Sequence, residues 1–127
     1  MRSAMRRTIA LVVAAASLAG CVHKLIQQEP DPIVIFRNDS PDQADVYAVG
    51  SGGDPIRIGT VFAGRSEVFR VPGTIIGGSS RVNIIARMFP GGRVIRTGEF
   101  SLPPGESMTV RLTTDEKILS VLPSSER

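Results

Sequence analysis

The nine residues Arg81-Val82-Asn83-Ile84-Ile85-Ala86-Arg87-Met88-Phe89 decide the fold predicted for this chain. Successive side chains of a β-strand point to opposite faces of the sheet. One set of alternate positions is entirely apolar and consists of Val82, Ile84, Ala86 and Met88. The other set consists of Arg81, Asn83, Ile85, Arg87 and Phe89. The alternation predicts a strand with one face in a hydrophobic core and the other toward solvent or a partner.

Short runs of β-branched or aromatic residues recur on both sides of this stretch, from Ile33 onward, separated by turns rich in Gly, Pro, Asn and Asp. We predict eight strands, in the ranges 33–37, 45–49, 56–61, 67–71, 81–89, 94–100, 107–113 and 117–122. Strands at this spacing, with no helical stretch between them, predict an all-β domain. The expected fold is a small antiparallel β-sandwich, immunoglobulin- or transthyretin-like in architecture.

The first 20 residues have a different character. Three arginines precede the uncharged run 8–19, which ends just before Cys21, the only cysteine of the chain. A basic segment followed by a short apolar run is the pattern of a secretory signal, and this run is too short to span a bilayer comfortably. We therefore predict that residues 1–20 are a helical signal peptide and that the mature chain is not threaded through the membrane.

The residues Leu18, Ala19, Gly20 and Cys21 resemble the lipobox of bacterial lipoprotein precursors. The resemblance implies that the thiol of Cys21 receives a diacylglycerol, that the signal is cut before Cys21, and that the new amino terminus is acylated too. Two acyl chains make a stable anchor. In a Gram-negative envelope, Val22 after the cysteine favours the outer membrane, with the domain facing the periplasm. The alternative is an ordinary secretory signal with a cysteine nearby.

Removal of residues 1–20 leaves 12 basic and 12 acidic side chains, so the predicted mature chain has no net charge and gives no reason to expect nucleic acid as a partner. Ten of the 12 basic residues are arginine, which would be explained either by composition bias or by a functional use of the planar guanidinium group.

We predict that residues 21–32 are a lipidated cysteine and flexible tether, because Pro30 and Pro32 disfavour helix. Residues 33–122 are then the β-sandwich domain, and residues 123–127 a polar tail.

The start of the predicted domain carries a second resemblance. Asn38-Asp39-Ser40-Pro41-Asp42, followed by Asp45-Val46-Tyr47, resembles the opening of a family of bacterial cell-surface β-sandwich domains of unassigned function. Gly59-Thr60-Val61 and Leu102-Pro103-Pro104-Gly105 are compatible with the same family. In architecture alone, the chain is also similar to the transthyretin-like lipoproteins of type VI secretion. Neither comparison implies an activity.

Few side chains are available for catalysis or for metal binding. His23 is the single histidine and lies two residues from the predicted lipid anchor. The predicted lipid modification takes up the thiol of Cys21. These positions argue against His-based triads, thiol nucleophiles and ordinary zinc sites. Asp39, Asp42 and Asp45 offer oxygen ligands for calcium, but their spacing is not that of an EF-hand loop, and Asp is common in turns. We predict no enzyme activity, no cofactor and no metal site.

Two arginines on the outward face of the predicted hairpin are a candidate contact site. If Phe89 faces Val94, then Arg87 faces Arg96, and like charges opposite each other destabilise a strand pair. We predict this register. An acidic side chain would relieve the repulsion, and the candidates are Glu67 and Glu99. The alternative is that the pair binds a carboxylate or phosphate of a ligand or partner.

Ile75 and Ile76 are a second candidate, since they form an apolar pair within the glycine-rich connection 73–78. They either plug an open end of the sandwich or are exposed as a protein contact.

These observations predict a lipoprotein attached to the membrane through Cys21, whose β-sandwich is a non-catalytic protein-binding or assembly module that contacts other envelope proteins. The alternative function is that of a small-ligand or glycan-binding lipoprotein. Glycan sites usually present aromatic platforms, and the chain has no Trp and one Tyr, which favours protein partners.

Overall fold

The computed structural model describes residues 29–117 and 119–124. The predicted signal peptide, the lipobox with Cys21 and most of the predicted tether lie outside these residues. The elements are β1 Ile33–Asn38, β2 Gln43–Gly50, β3 Ile56–Val61, β4 Ser66–Arg70, α1 Gly73–Ile76, β5 Arg81–Phe89, β6 Val94–Ser101, β7 Ser107–Leu112 and β8 Leu119–Pro123. Each predicted strand overlaps one observed strand, so the prediction of an all-β domain is confirmed, with the one-turn helix α1 as the single helical element among the described residues.

The strands form two four-stranded sheets, with the orders β4-β1-β7-β8 and β3-β2-β5-β6. The described pairings are antiparallel except that of β1 with β7, which is parallel. The predicted sandwich is confirmed, with this one departure from the antiparallel arrangement. In the immunoglobulin fold the first two strands share a sheet. Here β1 and β2 lie in different sheets, so the strand order is not that of the immunoglobulin fold.

The core between the sheets is built from alternate strand residues, as the pattern of β5 predicts. Val82, Ile84, Ala86 and Met88 are at most 2% exposed. From the facing sheet, Val34, Phe36, Val110 and Leu112 are fully buried. Each fully buried Val, Leu, Ile, Phe or Met side chain contributes about 1.5 to 3 kcal/mol of transfer free energy. Because the inward side chains of both sheets share this core, the remaining alternate side chains of each sheet lie on its outer face.

The one-turn helix α1 closes one end of the sandwich. Ile76 is buried in the core and Ile75 packs against it half-buried, so the two are not an exposed protein contact. The backbone of α1 lies close to that of β2, because a Cβ added to Gly50 of β2 would lie 1.7 Å from the carbonyl oxygen of Ile75. In the ranges 29–117 and 119–124, no helix is both long enough and apolar enough to cross a membrane.

The domain begins before β1, so the end of the predicted flexible tether belongs to the folded unit. Pro32 is fully buried, and its carbonyl accepts a hydrogen bond from the N–H of Val71 at 3.0 Å. The carbonyl of Pro30 accepts one from Gly105 at 2.9 Å. Prolines lack an N–H, but their carbonyls still anchor the chain. At the other end, β8 includes Pro123, the first residue of the predicted tail.

Candidate functional site

The hairpin between β5 and β6 closes earlier than predicted. The backbone N–H of Met88 donates to the carbonyl of Arg93 at 2.8 Å, and the carbonyl of Met88 accepts from Gly92 at 2.7 Å. Gly92 has a φ of 72°, in the left-handed region that favours glycine. The predicted closing pair, Phe89 with Val94, is therefore wrong, because the loop is closed by Met88 and Arg93, each one residue earlier in the chain than the predicted partner.

This register changes the geometry of the two candidate arginines. Arg87 lies opposite Val94, and Arg96 lies opposite Ile85. Arg87 and Arg96 are thus diagonal neighbours on one face, at a typical separation of about 7 to 8 Å, and not a directly opposed pair. Both remain exposed on the outer face of the sheet. The structure therefore brings the two predicted residues to one surface while removing the predicted head-on repulsion.

The two arginines lie in an open groove on the outer face of the sheet β3-β2-β5-β6. The register sets two rows across the four strands, Thr60, Asp45, Arg87 and Val94 in one and Arg57, Tyr47, Ile85 and Arg96 in the other. Residues of these rows and of the connection between β2 and β3 line an open depression with a volume of about 280 Å³. We call this the arginine groove, and it is lined by Tyr47, Pro55, Ile85, Arg87, Val94 and Arg96.

The floor of the arginine groove is apolar. Ile85 belongs to the outward set of β5, yet it is only 8% exposed. Its cross-strand neighbours are Tyr47 on one side and Arg96 on the other. Val94, by contrast, is 48% exposed beside Arg87. The surface therefore combines exposed cations with apolar side chains, a combination that suits a ligand with an anionic group beside an apolar one.

Neither groove arginine is neutralised within residues 29–117 and 119–124, where no ion pair includes Arg87 or Arg96. Asp45 lies opposite Arg87, but its Oδ1 accepts hydrogen bonds from Arg57 at 3.1 Å and from Thr60 at 2.8 Å. The two acidic residues predicted to relieve the arginines do not do so. Glu67 is on β4 in the other sheet, and Glu99 lies opposite Asn83, outside the ion pairs of the described residues.

A second pair of arginines shows what such a pair does when a carboxylate is present. Arg37 of β1 lies directly opposite Arg111 of β7. Asp39 lies beside them and accepts from Arg37 Nε at 2.9 Å and from Arg111 Nε at 2.6 Å. The hydrogen bond from Arg111 is the main reason that the pKa of Asp39 is lowered, with Arg37 adding to it. One carboxylate is thus shared between two guanidinium groups of neighbouring strands.

The three aspartates considered as calcium ligands do not converge on one point. Asp39 and Asp45 are engaged by the arginines described above, on different sheets. Asp42 lies beside Glu116, in the turn after β7. Across the described ranges, no group of three or more His, Cys, Asp or Glu side chains has the arrangement of a metal site. The oxygen-ligand hypothesis therefore has no geometry to support it.

The contact between Asp42 and Glu116 places two carboxyl groups together. The Asp42 side chain is the main cause that raises the pKa of Glu116, and burial adds to the effect. Within the described residues, Oε1 of Glu116 is shielded from solvent without a hydrogen-bonding partner. The backbone of Glu116 is also left-handed, with a φ of 60°. Ionised Glu116 is therefore less stable in the folded than in the unfolded chain.

We expect Glu116→Gln to raise the melting temperature near neutral pH. Because folding raises the pKa of Glu116, stability is lost as the pH rises through that pKa, and a neutral amide removes this loss. Below the ordinary carboxyl pKa both forms are uncharged, so the gain should vanish in acid. Calorimetry near neutral pH and at a pH below the ordinary carboxyl pKa measures the difference in melting temperature between the variant and the original protein. Glu67→Gln, at an exposed position of β4, is the control. An equal gain at both pH values, or a loss at neutral pH, contradicts the prediction.

Four members of the arginine groove were not predicted as site residues: Tyr47, Pro55, Ile85 and Val94. Alternation along β2 and β5 assigns Tyr47 and Ile85 to outward positions, but only the pairing of β2 with β5 makes them neighbours. Pro55 reaches the groove from the connection between β2 and β3. Val94 borders Arg87 only in the observed register. Strand pairing, which alternation does not specify, was the missing information.

Comparison with known proteins adds little to this description. No family model matches the chain, and no match was found among curated proteins. Among solved structures, the chain is similar to a protein from Eubacterium rectale determined by NMR, with 12% identity and a TM-score of 0.47. The similarity covers 74% of this chain and 88% of that one. The interpretation of the arginine groove therefore depends on its own side chains.

Proposed function

We propose that this protein is a membrane-anchored lipoprotein whose β-sandwich is a non-catalytic protein-binding or assembly module of the cell envelope. The lipid on Cys21 attaches it to the membrane, and in a Gram-negative cell we place it at the outer membrane, facing the periplasm. Its partners are other envelope proteins and not nucleic acid, because the mature chain carries no net charge.

The observation that carries the binding role is the arginine groove. Two arginines without ion-pair partners among the described residues flank apolar side chains on the outer face of a rigid sheet. Arginine and aromatic residues are enriched where proteins contact each other, because they combine apolar area with directional hydrogen bonds. The groove contains Tyr47, the only tyrosine of the chain, as its single aromatic residue. A lone aromatic ring supports a protein contact better than the alternative of a glycan site.

We expect a photo-crosslinking amino acid at Val94 to capture a discrete envelope protein in cells that make the full-length chain. Val94 is 48% exposed and borders Arg87, so a partner in the groove lies within reach. The matched control is the same amino acid at Val68, which is 64% exposed on β4 in the other sheet. Immunoblotting and mass spectrometry of the adducts provide the measurement.

Adducts that form equally from positions 94 and 68, or from neither, contradict the proposed protein-binding role of the groove. A small anion retained by the purified protein, in the absence of any protein adduct at position 94, supports the small-ligand alternative instead. Native mass spectrometry of the full-length lipidated protein detects such an anion directly.

A further inference from the structure

We propose that the arginine groove binds an acidic segment of its partner protein, with one Asp or Glu carboxylate of the partner held between Arg87 and Arg96. This inference rests on the proposed function and specifies the chemistry of the partner at the same site. It follows from three features of the described residues: the diagonal placement of the arginines, the lack of an ion pair between these arginines and the described acids, and the parallel with the Arg37–Asp39–Arg111 cluster.

The diagonal placement suits a shared carboxylate. Arg87 lies next to Val94 and Arg96 next to Ile85, so the arginines occupy one diagonal of a four-residue patch and the apolar residues the other. Both arginines line the same groove. A carboxylate has two oxygens and accepts one charge-assisted hydrogen bond at each without losing access to the other. A single acidic side chain above the patch therefore satisfies both arginines.

The cluster at Asp39 shows the same chemistry completed within the chain. There, Arg37 and Arg111 on neighbouring strands each donate to a different oxygen of Asp39, Arg37 to Oδ1 and Arg111 to Oδ2. The lowered pKa of Asp39 records that the two cations favour its ionised form. The arginine groove presents a comparable pair of cations on neighbouring strands, but without the carboxylate. In our proposal the partner supplies the missing group.

The described acids near the groove form no ion pair with Arg87 or Arg96. Asp45, the nearest in register, is bonded to Arg57 and Thr60. Glu99 is on β6 with Arg96 but makes no ion pair with it. The groove therefore keeps its positive charge for an external ligand, and a carboxylate is complementary to it.

The floor of the groove adds a second requirement for the partner. Val94 offers exposed apolar contact area beside the arginines, Ile85 lies largely buried at the base of the groove, and Tyr47 borders the same surface. A simple anion such as phosphate would leave this area in contact with water. A peptide with an acidic residue next to a Leu, Ile or Phe covers the apolar floor while its carboxylate reaches the guanidinium groups. This combination favours an acidic peptide segment over a free small anion.

The test uses the full-length lipidated protein in neutral detergent micelles and random peptides displayed on phage as the probe. We expect the selected peptides to be enriched in Asp or Glu adjacent to a large apolar residue. A synthetic selected peptide should bind Arg87→Gln and Arg96→Gln about tenfold more weakly, or worse, because each change removes a charge-assisted hydrogen bond. Changing the acidic residue of the peptide to its amide should have a similar effect.

Arg65→Gln and Arg70→Gln are the matched controls, since they remove the same charge from exposed positions outside the groove, and they should bind within about twofold of the original. Inorganic phosphate and acetate, titrated as competitors, should displace the peptide only weakly. The proposal is overturned if no peptide is selected, if the selected peptides lack acidic residues, or if binding survives the groove substitutions. It is also overturned if phosphate or acetate binds as tightly as the peptide.

The protein-binding function and the acidic chemistry of the partner can be refuted separately. A protein adduct specific to position 94, together with peptides that are not acidic, would refute this inference and leave the proposed protein-binding function standing. Loss of the adduct at position 94 would refute the proposed function itself, whatever the peptide selection yields.

Discussion

Replacing Asn38 with alanine should lower the free energy of unfolding by about 3 to 5 kcal/mol, because several buried polar groups lose their partner at once. Asn38 is fully buried at the end of β1. Its Nδ2 donates to the carbonyls of Asp42 at 2.8 Å and Val61 at 3.0 Å, and its Oδ1 accepts from the backbone N–H of Ser40 at 3.0 Å. These bonds connect β1 and the following turn to β3 in the other sheet. Urea unfolding followed by circular dichroism measures the change.

Asn83→Ala is the matched control for Asn38→Ala. The Asn83 side chain is half-buried on β5, and its Oδ1 accepts a 3.3 Å hydrogen bond from Thr97. We expect this change to cost about 1 kcal/mol or less. Domain stabilities are typically about 5 to 15 kcal/mol, so the loss expected at Asn38 is a large fraction of the whole. Equal effects of the two substitutions would contradict the structural role assigned to Asn38.

Alternation within β5 was enough to predict its core residues, and the spacing of strands and turns was enough to predict the fold class. Val82, Ile84, Ala86 and Met88 were assigned to the core from their spacing in β5, and all four are buried. The reason is physical: a strand that covers a core must place its apolar side chains on one face, with a period of two. The same rule assigned Arg87 to the outer face, where it lies.

Pairing between strands was harder to predict, because it depends on how each turn closes. The register of β5 and β6 is set by the bonds of Met88 to Gly92 and Arg93, and a loop rich in glycine permits more than one closure. The parallel pairing of β1 with β7 joins residues about seventy positions apart, and no local signal specifies it. The arginine groove spans several such pairings, so its arginines were predicted but its apolar floor was not.

The role of the Asn38–Asp42 segment was also beyond prediction from the sequence alone. The run Asn38-Asp39-Ser40-Pro41 indicates a turn. The pattern does not say that Asn38 is buried or that it bonds to Val61, because Val61 is distant in the chain. Likewise, nothing in the sequence shows that Asp39 accepts from Arg111. Side-chain bonds between distant segments depend on the packing of the sheets, which the local pattern does not contain.

The anchoring of Pro30 and Pro32 changes the geometry of the proposed membrane attachment. If Cys21 carries the lipid, residues 22–29 remain to separate the anchor from the folded domain. Eight residues span at most about 26 to 29 Å when fully extended. The domain is therefore held closer to the bilayer than a tether ending at residue 32 would place it. A partner of the arginine groove would have to reach the domain within this distance of the membrane.

Substituting Cys21 with serine should abolish lipid attachment and the removal of the signal at that position. A serine hydroxyl replaces the thiol that, in bacterial lipoproteins, receives the diacylglycerol, and without this lipid the signal is not removed at that position. A variant chain that is cut elsewhere should lose nearly all of its membrane attachment, because stable anchoring needs two hydrophobic signals. Membrane fractionation, with mass spectrometry of the N-terminal peptide, measures the outcome. We expect an acylated peptide beginning at Cys21 in the original protein, and an unprocessed or soluble chain in the variant.

His23→Ser is the control for Cys21→Ser, because it makes a polar substitution two residues away and leaves the thiol intact. It should retain both processing and membrane attachment. If Cys21→Ser is still cut after Gly20 and still fractionates with the membrane, the lipoprotein proposal fails. If Cys21→Ser is cut elsewhere and released as a soluble domain, an ordinary secretory signal is sufficient for export. In that case the membrane association of the original protein, measured in parallel, shows whether the thiol contributes an anchor at all.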